Sequence, residues 1–381
     1  MSEAAEQTTI HKLPLDETHR RLGALMVERD GRWQPASYGD PRAEYLAVRD
    51  SLSAGLIDLS SHALIEVSGA EAVQFLNGLL TNDMKTLADG CWMPAAFPTA
   101  QGRLIASVRV INRGGSFLFE TEAVSRERLF KTLERFTLAG DFHVTDRSGE
   151  TALLSVQGAR AAEAVGLALG KESAAVERGR VLTTQWRGAS LSVIRATHTA
   201  EDGFDLFVDA THAAPIWESL QAAGARPVGM GALEILRIEA GLPRYGVDMD
   251  ETNIITEAGL DEAVSYTKGC YVGQEIIARI HWRGHVAKKL AGLLFRDAVE
   301  IERGAKVLTT DGKEIGRITS AAFSPRLAHT VALAYVKYDY LAPGTPARVT
   351  AGGAERDATV AELPLVRGSW YESAETTETR A

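Results

Sequence analysis

The amino-acid sequence predicts an α+β protein whose C-terminal part consists of short antiparallel strands. The first observation is an internal echo. Residues 64–72 (LIEVSGAEA) resemble residues 153–161 (LLSVQGARA), and each copy predicts a strand, a glycine turn and a helix. The second is that strand-like segments joined by turn signals lie between and after the two copies. The third is a change after Gly284, where closely spaced turn signals replace helical periodicity.

Each copy of the echo predicts the start of one half of a duplicated α+β module. In the first copy, Ser68 and Glu71 form the S-x-x-E pattern of a capping box, and a helical apolar face follows. The other predicted strands are residues 104–111, 116–121, 181–186, 191–196 and 204–209. Three helices are predicted from apolar faces: Val73, Leu76 and Leu80; Leu129, Leu133 and Phe136; and Leu233, Leu236 and Ala240. We therefore expect two intertwined α+β subdomains within residues 1–284.

The C-terminal part predicts a different architecture. Residues 288–366 carry the turn signals Asp311-Gly312, Ser324-Pro325 and Pro343-Gly344 between short strand-like runs. This pattern is typical of a small antiparallel barrel or sandwich. Residues 372–381 are polar and lack a core pattern, which predicts a disordered tail. The predicted division is therefore 1–284, 285–371 and 372–381.

Composition and charge narrow the class of protein. The chain is 45% hydrophobic and 24% charged, as in ordinary soluble proteins. Two cysteines without a CxxC pair form no disulfide framework, which indicates a reducing compartment, the cytoplasm. Residues 1–9 lack the apolar region of a secretory signal, and the absence of a long apolar run argues against a membrane partner. A net charge of −9 argues against direct, nonspecific nucleic-acid binding.

The segment Lys268-Gly269-Cys270-Tyr271-Val272-Gly273-Gln274-Glu275 places one of the two cysteines between glycines. One interpretation is a turn that contains a small structural cysteine. The other is a reactive thiol. If residues 276–280 form a helix rather than a buried strand, the helix dipole and the Lys268 charge both favour the thiolate of Cys270. The residues alone leave both interpretations open.

Taken together, the motifs resemble the aminomethyltransferase (glycine cleavage T-protein) superfamily over nearly the whole chain. Residues 268–275 resemble the signature of its YgfZ-type branch of folate-dependent iron–sulfur cluster proteins. The other segments that carry the resemblance are Thr81-Asn82-Asp83, residues 199–205 (TAEDGFD), residues 236–243 (LRIEAGLP), residues 257–260 (EAGL) and residues 311–316 (DGKEIG).

The resemblance implies a T-protein-like folate-binding module followed by a C-terminal antiparallel β-barrel, with tetrahydrofolate in a central channel. By motif, Glu201 is the expected pterin-binding carboxylate, since a pterin offers a donor edge that a carboxylate can bind with two hydrogen bonds. Arg237 is expected to line the folate site. The resemblance also assigns Tyr271, Gln274 and Trp370 to cofactor binding. Without it, Glu201 is a solvated turn residue, and Arg237 is either a surface cation of its helix or a partner of Glu234.

One departure from the family pattern bears on the reaction. The transferases carry two aspartates at the positions of Ala106 and Ser107, and one of them assists attack on the aminomethyl group. A serine hydroxyl cannot act as a carboxylate base or stabilise a cation in the same way. The resemblance therefore implies that the glycine-cleavage reaction itself is disfavoured here.

Residues 279–289 (RIHWRGHVAKK) combine basic and aromatic side chains. They allow three interpretations: a solvated linker, a surface that attracts the carboxylates of a folate tail, or an RNA contact. His281 and His285 have the i, i+4 spacing of metal ligands, but no third ligand is in register, so we predict no metal site.

The leading prediction is a tetrahydrofolate-binding accessory protein that supports assembly or repair of iron–sulfur clusters in client or assembly proteins. Cys270 is its predicted reactive group, with Lys268 as activator. The alternatives are a folate-dependent one-carbon transferase or demethylase of the T-protein type, and a protein associated with RNA modification.

Overall fold

The structure, a computed structural model of the chain, describes residues 12–372. The predictions for residues 1–9 and for the tail beyond residue 372 lie outside this range. The helices are α1 (Asp16–Arg21), α2 (Pro41–Arg49), α3 (Ala72–Leu79), α4 (Arg126–Glu134), α5 (Ala161–Leu169), α6 (Lys171–Ala174), α7 (Ala213–Ala222), α8 (Met230–Glu239) and α9 (Gln274–Arg283).

The strands of the N-terminal module precede those of the C-terminal barrel. They are β1 (Leu25–Arg29), β2 (Arg32–Ser37), β3 (Ala54–Asp58), β4 (Ala63–Ser68), β5 (Trp92–Pro98), β6 (Leu104–Asn112), β7 (Ser116–Thr121), β8 (His143–Asp146), β9 (Thr151–Gln157), β10 (Val181–Trp186), β11 (Ala189–Arg195), β12 (Gly203–Asp209), β13 (Ala225–Pro227), β14 (Lys288–Phe295), β15 (Lys306–Leu308), β16 (Glu314–Ser324), β17 (His329–Lys337), β18 (Pro346–Ala351) and β19 (Ala354–Ala361).

Both copies of the echo form the strand, glycine turn and helix that the sequence predicts: β4 leads through Gly69 into α3, and β9 leads through Gly158 into α5. Gly69 has φ +115° and Gly158 has φ +124°, so both turns use a backbone conformation that glycine adopts readily. The capping box predicted for the first copy is wrong. Glu71 is the N-cap residue and makes no cap bond, because its carboxylate accepts a hydrogen bond from the Asp141 amide at 2.7 Å.

The two copies belong to two facing sheets. One is antiparallel in the order β5-β6-β7-β4-β8, and the other has the order β10-β11-β12-β9-β3-β13. Helices α3 and α4 pack on the outer face of the first sheet, and α5 and α7 pack on the outer face of the second. The inner faces share a third core, in which Ile111 and Leu118 of the first sheet lie with Leu153 and Phe207 of the second. Charged side chains that extend beyond this core therefore meet between the sheets.

The C-terminal strands form a closed barrel in the order β14-β17-β16-β15-β18-β19. Its interior is apolar, and a separate cluster around Ile238, Leu290 and Leu333 packs the barrel against α8. The predicted fold class, an α+β module with a C-terminal antiparallel barrel, is confirmed. Residues 276–280, which the sequence left open, are helical as part of α9. No helix within residues 12–372 combines the length and the apolar character needed to cross a bilayer.

A buried carboxylate on α8 ties this helix to both neighbours. Glu239 is fully buried and accepts hydrogen bonds from Tyr45 at 2.9 Å, from Arg49 at 2.8 Å and from Ser324 at 2.5 Å. Tyr45 and Arg49 lie on α2, whereas Ser324 ends β16 of the barrel. The charge is thus fully compensated, and it fixes α8 between the module and the barrel.

Replacing Gly69 by alanine should destabilise the protein more than replacing Gly115 by alanine. Both glycines have similar φ values, +115° and +122°. A Cβ atom on Gly69 would lie 2.2 Å from the Asp141 carbonyl oxygen, whereas a Cβ on Gly115 meets nothing within 4 Å. We expect the Gly69→Ala variant to lose about 1–3 kcal/mol more free energy of unfolding than Gly115→Ala, measured by chemical denaturation. Equal losses would contradict the backbone contact.

Candidate functional site

A cavity lies where the hairpin of β1 and β2, the two sheets and α8 meet, and its space of about 670 Å³ includes a part that is open to solvent. The wall carries Arg29, Asp30 and Gln34 from the hairpin; Leu59, Ser61 and His62 before β4; Glu122 and Ala123 after β7; His198 before β12; and Met230, Leu233, Glu234, Arg237, Leu242, Pro243 and Arg244 from α8 and the loop after it. We call this space the central cavity.

Behind the His62 side of the cavity, a buried arginine bridges the two sheets. Arg109 on β6 stands opposite Glu120 on β7 in the strand register, and its Nε donates to Glu120 at 2.7 Å. Its Nη1 donates to Asp205 on β12 of the other sheet at 2.5 Å. One cation therefore connects carboxylates of both sheets at the cavity wall.

Two histidines extend this network into the cavity. His62 Nδ1 makes a short contact with the Glu120 carboxylate, and its Nε2 is 3.9 Å from Glu122. His198 Nε2 is 2.9 Å from the Asp205 carboxylate. Both histidines line the cavity, and each contacts a buried carboxylate behind the wall.

The electrostatics of this network are strongly perturbed. Burial alone would raise the pKa of Glu120, but Arg109 and His62 outweigh it and hold that pKa at about 2. Burial alone would lower the pKa of His62, but Glu122 and Glu120 raise it to about 9. The pKa of Glu122 is raised, mainly by burial and also by Glu120, against the attraction of His62. Perturbed titratable groups that line one cavity are typical of functional sites.

A second space, an open groove of about 1700 Å³, runs from the cavity towards the barrel. Leu242 and Pro243 line both spaces, so the two spaces adjoin at these residues. Ser107 and Tyr371 line the groove, whereas Ala106 is buried in the core under α3 and α4. The position that carries an acid in the family pattern thus faces the groove with a hydroxyl.

Of the predicted site residues, Arg237 lines the central cavity, but its donors are engaged. It donates to Asp248 at 2.7 Å, to Ser320 at 2.7 Å and to the Leu242 carbonyl at 3.1 Å, and it makes a two-point contact with Glu234. Arg237 therefore positions the loop after α8 and the barrel strand β16 around the cavity.

The structure places Glu201 outside the central cavity. One oxygen accepts from Arg49 at 2.8 Å, and the other accepts from the Ser369 amide at 2.9 Å and hydroxyl at 2.7 Å. Gly368 packs so closely that a Cβ there would lie 2.5 Å from the Glu201 carboxyl. Glu201 thus fastens the C-terminal segment to α2, and its role in pterin binding stays a prediction.

The structure gives Lys268 a structural contact, and its role as the activator of Cys270 stays a prediction. The Lys268 ammonium donates to the backbone carbonyls of Asn77, Leu80 and Asn82 at 2.7–2.8 Å. These carbonyls lie at and just after the C-terminal end of α3, where carbonyl groups lack helical partners. Burial lowers the Lys268 pKa to about 8. Lys268 therefore closes the end of α3, while Cys270 is exposed and does not line the cavity.

The remaining predicted site residues also lie outside the central cavity. Tyr271 is buried in a separate cluster, and its amide donates to the Gln274 side chain at 3.1 Å, which closes the turn before α9. The Trp370 amide donates to the Ala200 carbonyl at 3.1 Å, and its ring lies 3.6 Å from the Arg178 guanidinium. The sequence motif is thus a structural turn, and Trp370 anchors the C-terminal segment.

Sequence reasoning missed His62, Arg109, Glu120, Glu122 and His198. The segment Glu120-Thr121-Glu122 gives a weak signal for such a network. A charge that is buried inside a strand requires a partner of opposite charge. Nothing local in the sequence identifies that partner, since Arg109 and His62 come from other strands and loops. Within residues 12–372 no cluster of three or more metal-ligating side chains occurs.

Comparisons with known proteins cover nearly the whole chain. Residues 15–268 match the GCVT N-terminal domain, and residues 288–367 match the glycine cleavage T-protein C-terminal barrel domain. An aminomethyltransferase from Rubrobacter xylanophilus is 35% identical over 334 residues, which is 87% of this chain and 89% of that protein. One from Cupriavidus metallidurans is 33% identical and covers 94% of this chain and 98% of its own length.

A solved structure supports the same relationship. The crystal structure of glycine cleavage system aminomethyltransferase T from Bartonella henselae superposes with a TM-score of 0.86 at 26% identity. The superposition covers 94% of this chain and 98% of the Bartonella chain. The comparisons therefore support the broad family predicted from the motifs, and they give no support for its iron–sulfur branch.

The pH dependence of stability tests the assignment at His62. Its folded pKa of about 9 lies above the ordinary 6.5, so the stabilisation is fully present below pH 6.5 and is lost as pH rises through 9. We expect His62→Gln to remove up to about 3 kcal/mol of this pH-dependent stability. Urea unfolding between pH 6 and 9.5 measures it, with the exposed His143→Gln as control. Parallel curves for wild type and His62→Gln would contradict the shift.

A second test separates the structural role of Lys268 from an activating one. Lys268→Met leaves three carbonyls without their donor, so we expect a loss of about 1–3 kcal/mol in the free energy of unfolding. The rate of Cys270 alkylation should stay within about twofold of wild type. Lys85→Met, at an exposed neighbouring lysine, is the control. A large fall in the alkylation rate with unchanged stability would support the activating role.

Proposed function

The chain belongs to the glycine cleavage T-protein (aminomethyltransferase) family, and on that premise we propose that it transfers a one-carbon unit to tetrahydrofolate held in the central cavity. The observation that carries the proposal is the Glu122 carboxylate, which lines this cavity within the network of His62, Glu120 and Arg109. Tetrahydrofolate is what the family resemblance implies, and the fit is judged from the cavity wall.

Glu122 has the properties that a pterin requires of its protein partner. Its side chain is 27% exposed towards the cavity, and its contact with His62 is loose, at 3.9 Å. The raised pKa of Glu122 reflects a carboxylate that burial has deprived of water. A pterin presents adjacent N–H donors, which a carboxylate can accept as charge-assisted hydrogen bonds. In this proposal Glu122 takes the role that the motif assigned to Glu201.

Behind the histidines lie two polar atoms that could still form hydrogen bonds. Arg109 Nη2 and Asp205 Oδ1 are both buried and have no hydrogen-bond partner within the described chain. An unpaired donor and an unpaired acceptor in one network are costly unless a ligand or water satisfies them. Neither Arg109 nor Asp205 lines the cavity, so these two atoms are unused polar capacity behind its wall and make no contact with an occupant.

The groove offers the route for the rest of the folate and for the one-carbon donor. It shares Leu242 and Pro243 with the cavity and opens past Tyr371, whose ring can pack on the aromatic middle of a folate. Lys289 lies farther along the groove, where it attracts carboxylates although Asp261 pairs with it at 3.3 Å. The reacting position then falls near Ser107, between the cavity and the groove.

Proton handling would fall to Glu122 and His62. When the methylene group of an aminomethyl donor becomes the bridge between two folate nitrogens, its bonds to the amine and to the donor's second leaving group break, each folate nitrogen loses a proton, and the amine and the second leaving group each gain one. Glu122, whose raised pKa brings the protonated form closer to neutral pH, can hold such a proton, and His62 stabilises its conjugate base. Ser107 offers only a hydroxyl. The one-carbon donor of this protein must therefore need less help from a carboxylate than the glycine-cleavage intermediate does.

The iron–sulfur role predicted from residues 268–275 is the competing candidate. Its support is the exposed thiol of Cys270 within the resembling motif. Lys268 serves the end of α3, and the relatives named above are aminomethyltransferases. The transferase proposal requires that Cys270→Ala retain transfer activity, whereas the iron–sulfur role requires that it lose client cluster activity.

Direct titration with tetrahydrofolate tests the proposal. Wild type should bind saturably, and Glu122→Gln should weaken binding by about 10–100-fold, the worth of a charge-assisted hydrogen bond. Glu127→Gln, at an exposed glutamate on α4, serves as the control of equal charge change. Glu201→Gln should bind normally if it folds.

The same preparations distinguish binding from catalysis. Formation of methylene-tetrahydrofolate from an aminomethyl donor should be abolished in Glu122→Gln and retained in Cys270→Ala. If wild type fails to bind tetrahydrofolate, the proposal is wrong as a whole. If wild type binds but never forms methylene-tetrahydrofolate, the binding half stands and the transferase half is wrong.

A further inference from the structure

A second polar groove lies away from the central cavity, at the flared edge of the space between the two sheets. It encloses about 860 Å³ and is open to solvent. One side is formed by β11 and β12, with Ser192 and Phe207 paired across the strands. The other side is Arg113 in the turn between β6 and β7, the Asn112-Arg113-Gly114-Gly115 segment. None of these residues takes part in the proposed transferase site.

Arg113 is a cation without a matching acid. Its Nε is buried and has no hydrogen-bond partner, and its guanidinium carbon lies 5.9 Å from the centre of the Phe207 ring. Burial lowers the Arg113 pKa; Glu66 opposes this effect and Arg147 adds to it. Glu66 is already bonded to Arg147 at 2.8 Å and to Ser116 at 2.8 Å. The charge on Arg113 is therefore left largely uncompensated.

Hydroxyl groups surround the space in front of this guanidinium. Ser192 is 6% exposed, and Ser190, Thr151 and Thr211 also line the groove. A guanidinium with several hydroxyl donors suits an anion with many acceptor oxygens, such as phosphate. A carboxylate has only two oxygens and would leave part of this donor set unused.

One acid, Asp209, opposes an anion in the groove. It pairs in the strand register with Thr151 and lies two residues beyond Phe207 on β12, whereas Ser192 pairs with Phe207 itself. Its carboxylate accepts from the Thr211 amide at 2.9 Å and lies 3.8 Å from His212. These contacts lower its pKa, and it remains an acid that weakens anion binding.

We propose that this groove binds the phosphate group of a small phosphate monoester, with Arg113 as its charge partner and Ser192 among its hydroxyl donors. The groove is open to solvent beyond these side chains, so it has room for the organic part of an ester. The site lies apart from the central cavity, and its failure would leave the proposed transferase function untouched.

Calorimetric titration of the full chain with glycerol 3-phosphate, and separately with inorganic phosphate, tests the proposal. Wild type should bind both saturably, the ester more tightly. Arg113→Gln should weaken binding at least tenfold, and Arg113→Lys should weaken it less because a point charge remains. Arg296→Gln removes the same charge from a side chain on the barrel that is 83% exposed, and it should bind as wild type does.

Replacing Asp209 tests the site in the opposite direction. The variant should bind phosphate more tightly than wild type does, and a folding defect cannot produce that result. Asp209→Asn keeps a capping side chain and removes the repelling charge, so it should tighten phosphate binding severalfold. Equal binding by wild type and Arg113→Gln would overturn the site. Equal affinity for acetate and phosphate would overturn the preference for phosphate, and tighter binding of inorganic phosphate than of the ester would overturn the assignment to a monoester.

Discussion

The arrangement of the central cavity depends on the two ion pairs of Arg109. This side chain lies between two sheets that otherwise meet through apolar residues, and it binds Glu120 on one side and Asp205 on the other. Removing one member of such a buried group typically costs about 3–5 kcal/mol, because the remaining charges lose their compensation. The pairs therefore fix how the sheets meet, and with them the positions of His62 and His198.

Glu122 receives its chemical character from the same network. Since Glu120 is held ionised by Arg109 and His62, the neighbouring Glu122 experiences a negative charge as well as burial, and both raise its pKa. The serine at position 107, where the family pattern has an aspartate, can be compared with Glu122. At Ser107 the groove has a hydroxyl where the family pattern has an acid, while an acid with a raised pKa lines the adjoining cavity.

The sequence predicted the fold better than it predicted the site. The echo at residues 64–72 and 153–161, the strand pairs and the C-terminal barrel all follow from local periodicity and turn residues, which act within a few positions. Arg109, His62 and His198 reach one cavity only after two sheets have paired, and no local pattern records that meeting. The contacts of Glu201 escaped the motif for a related reason, because its partners Arg49 and Ser369 come from distant segments, and its role in pterin binding stays a prediction.

A crystal structure of the protein with bound tetrahydrofolate tests the central claim most directly. The account predicts that the pterin lies in the central cavity, with its N–H donor edge within hydrogen-bond distance of the Glu122 carboxylate and with Glu201 still bound to Arg49 and Ser369. A pterin that instead donates to Glu201, or that lies wholly outside the cavity beside Cys270, would contradict it.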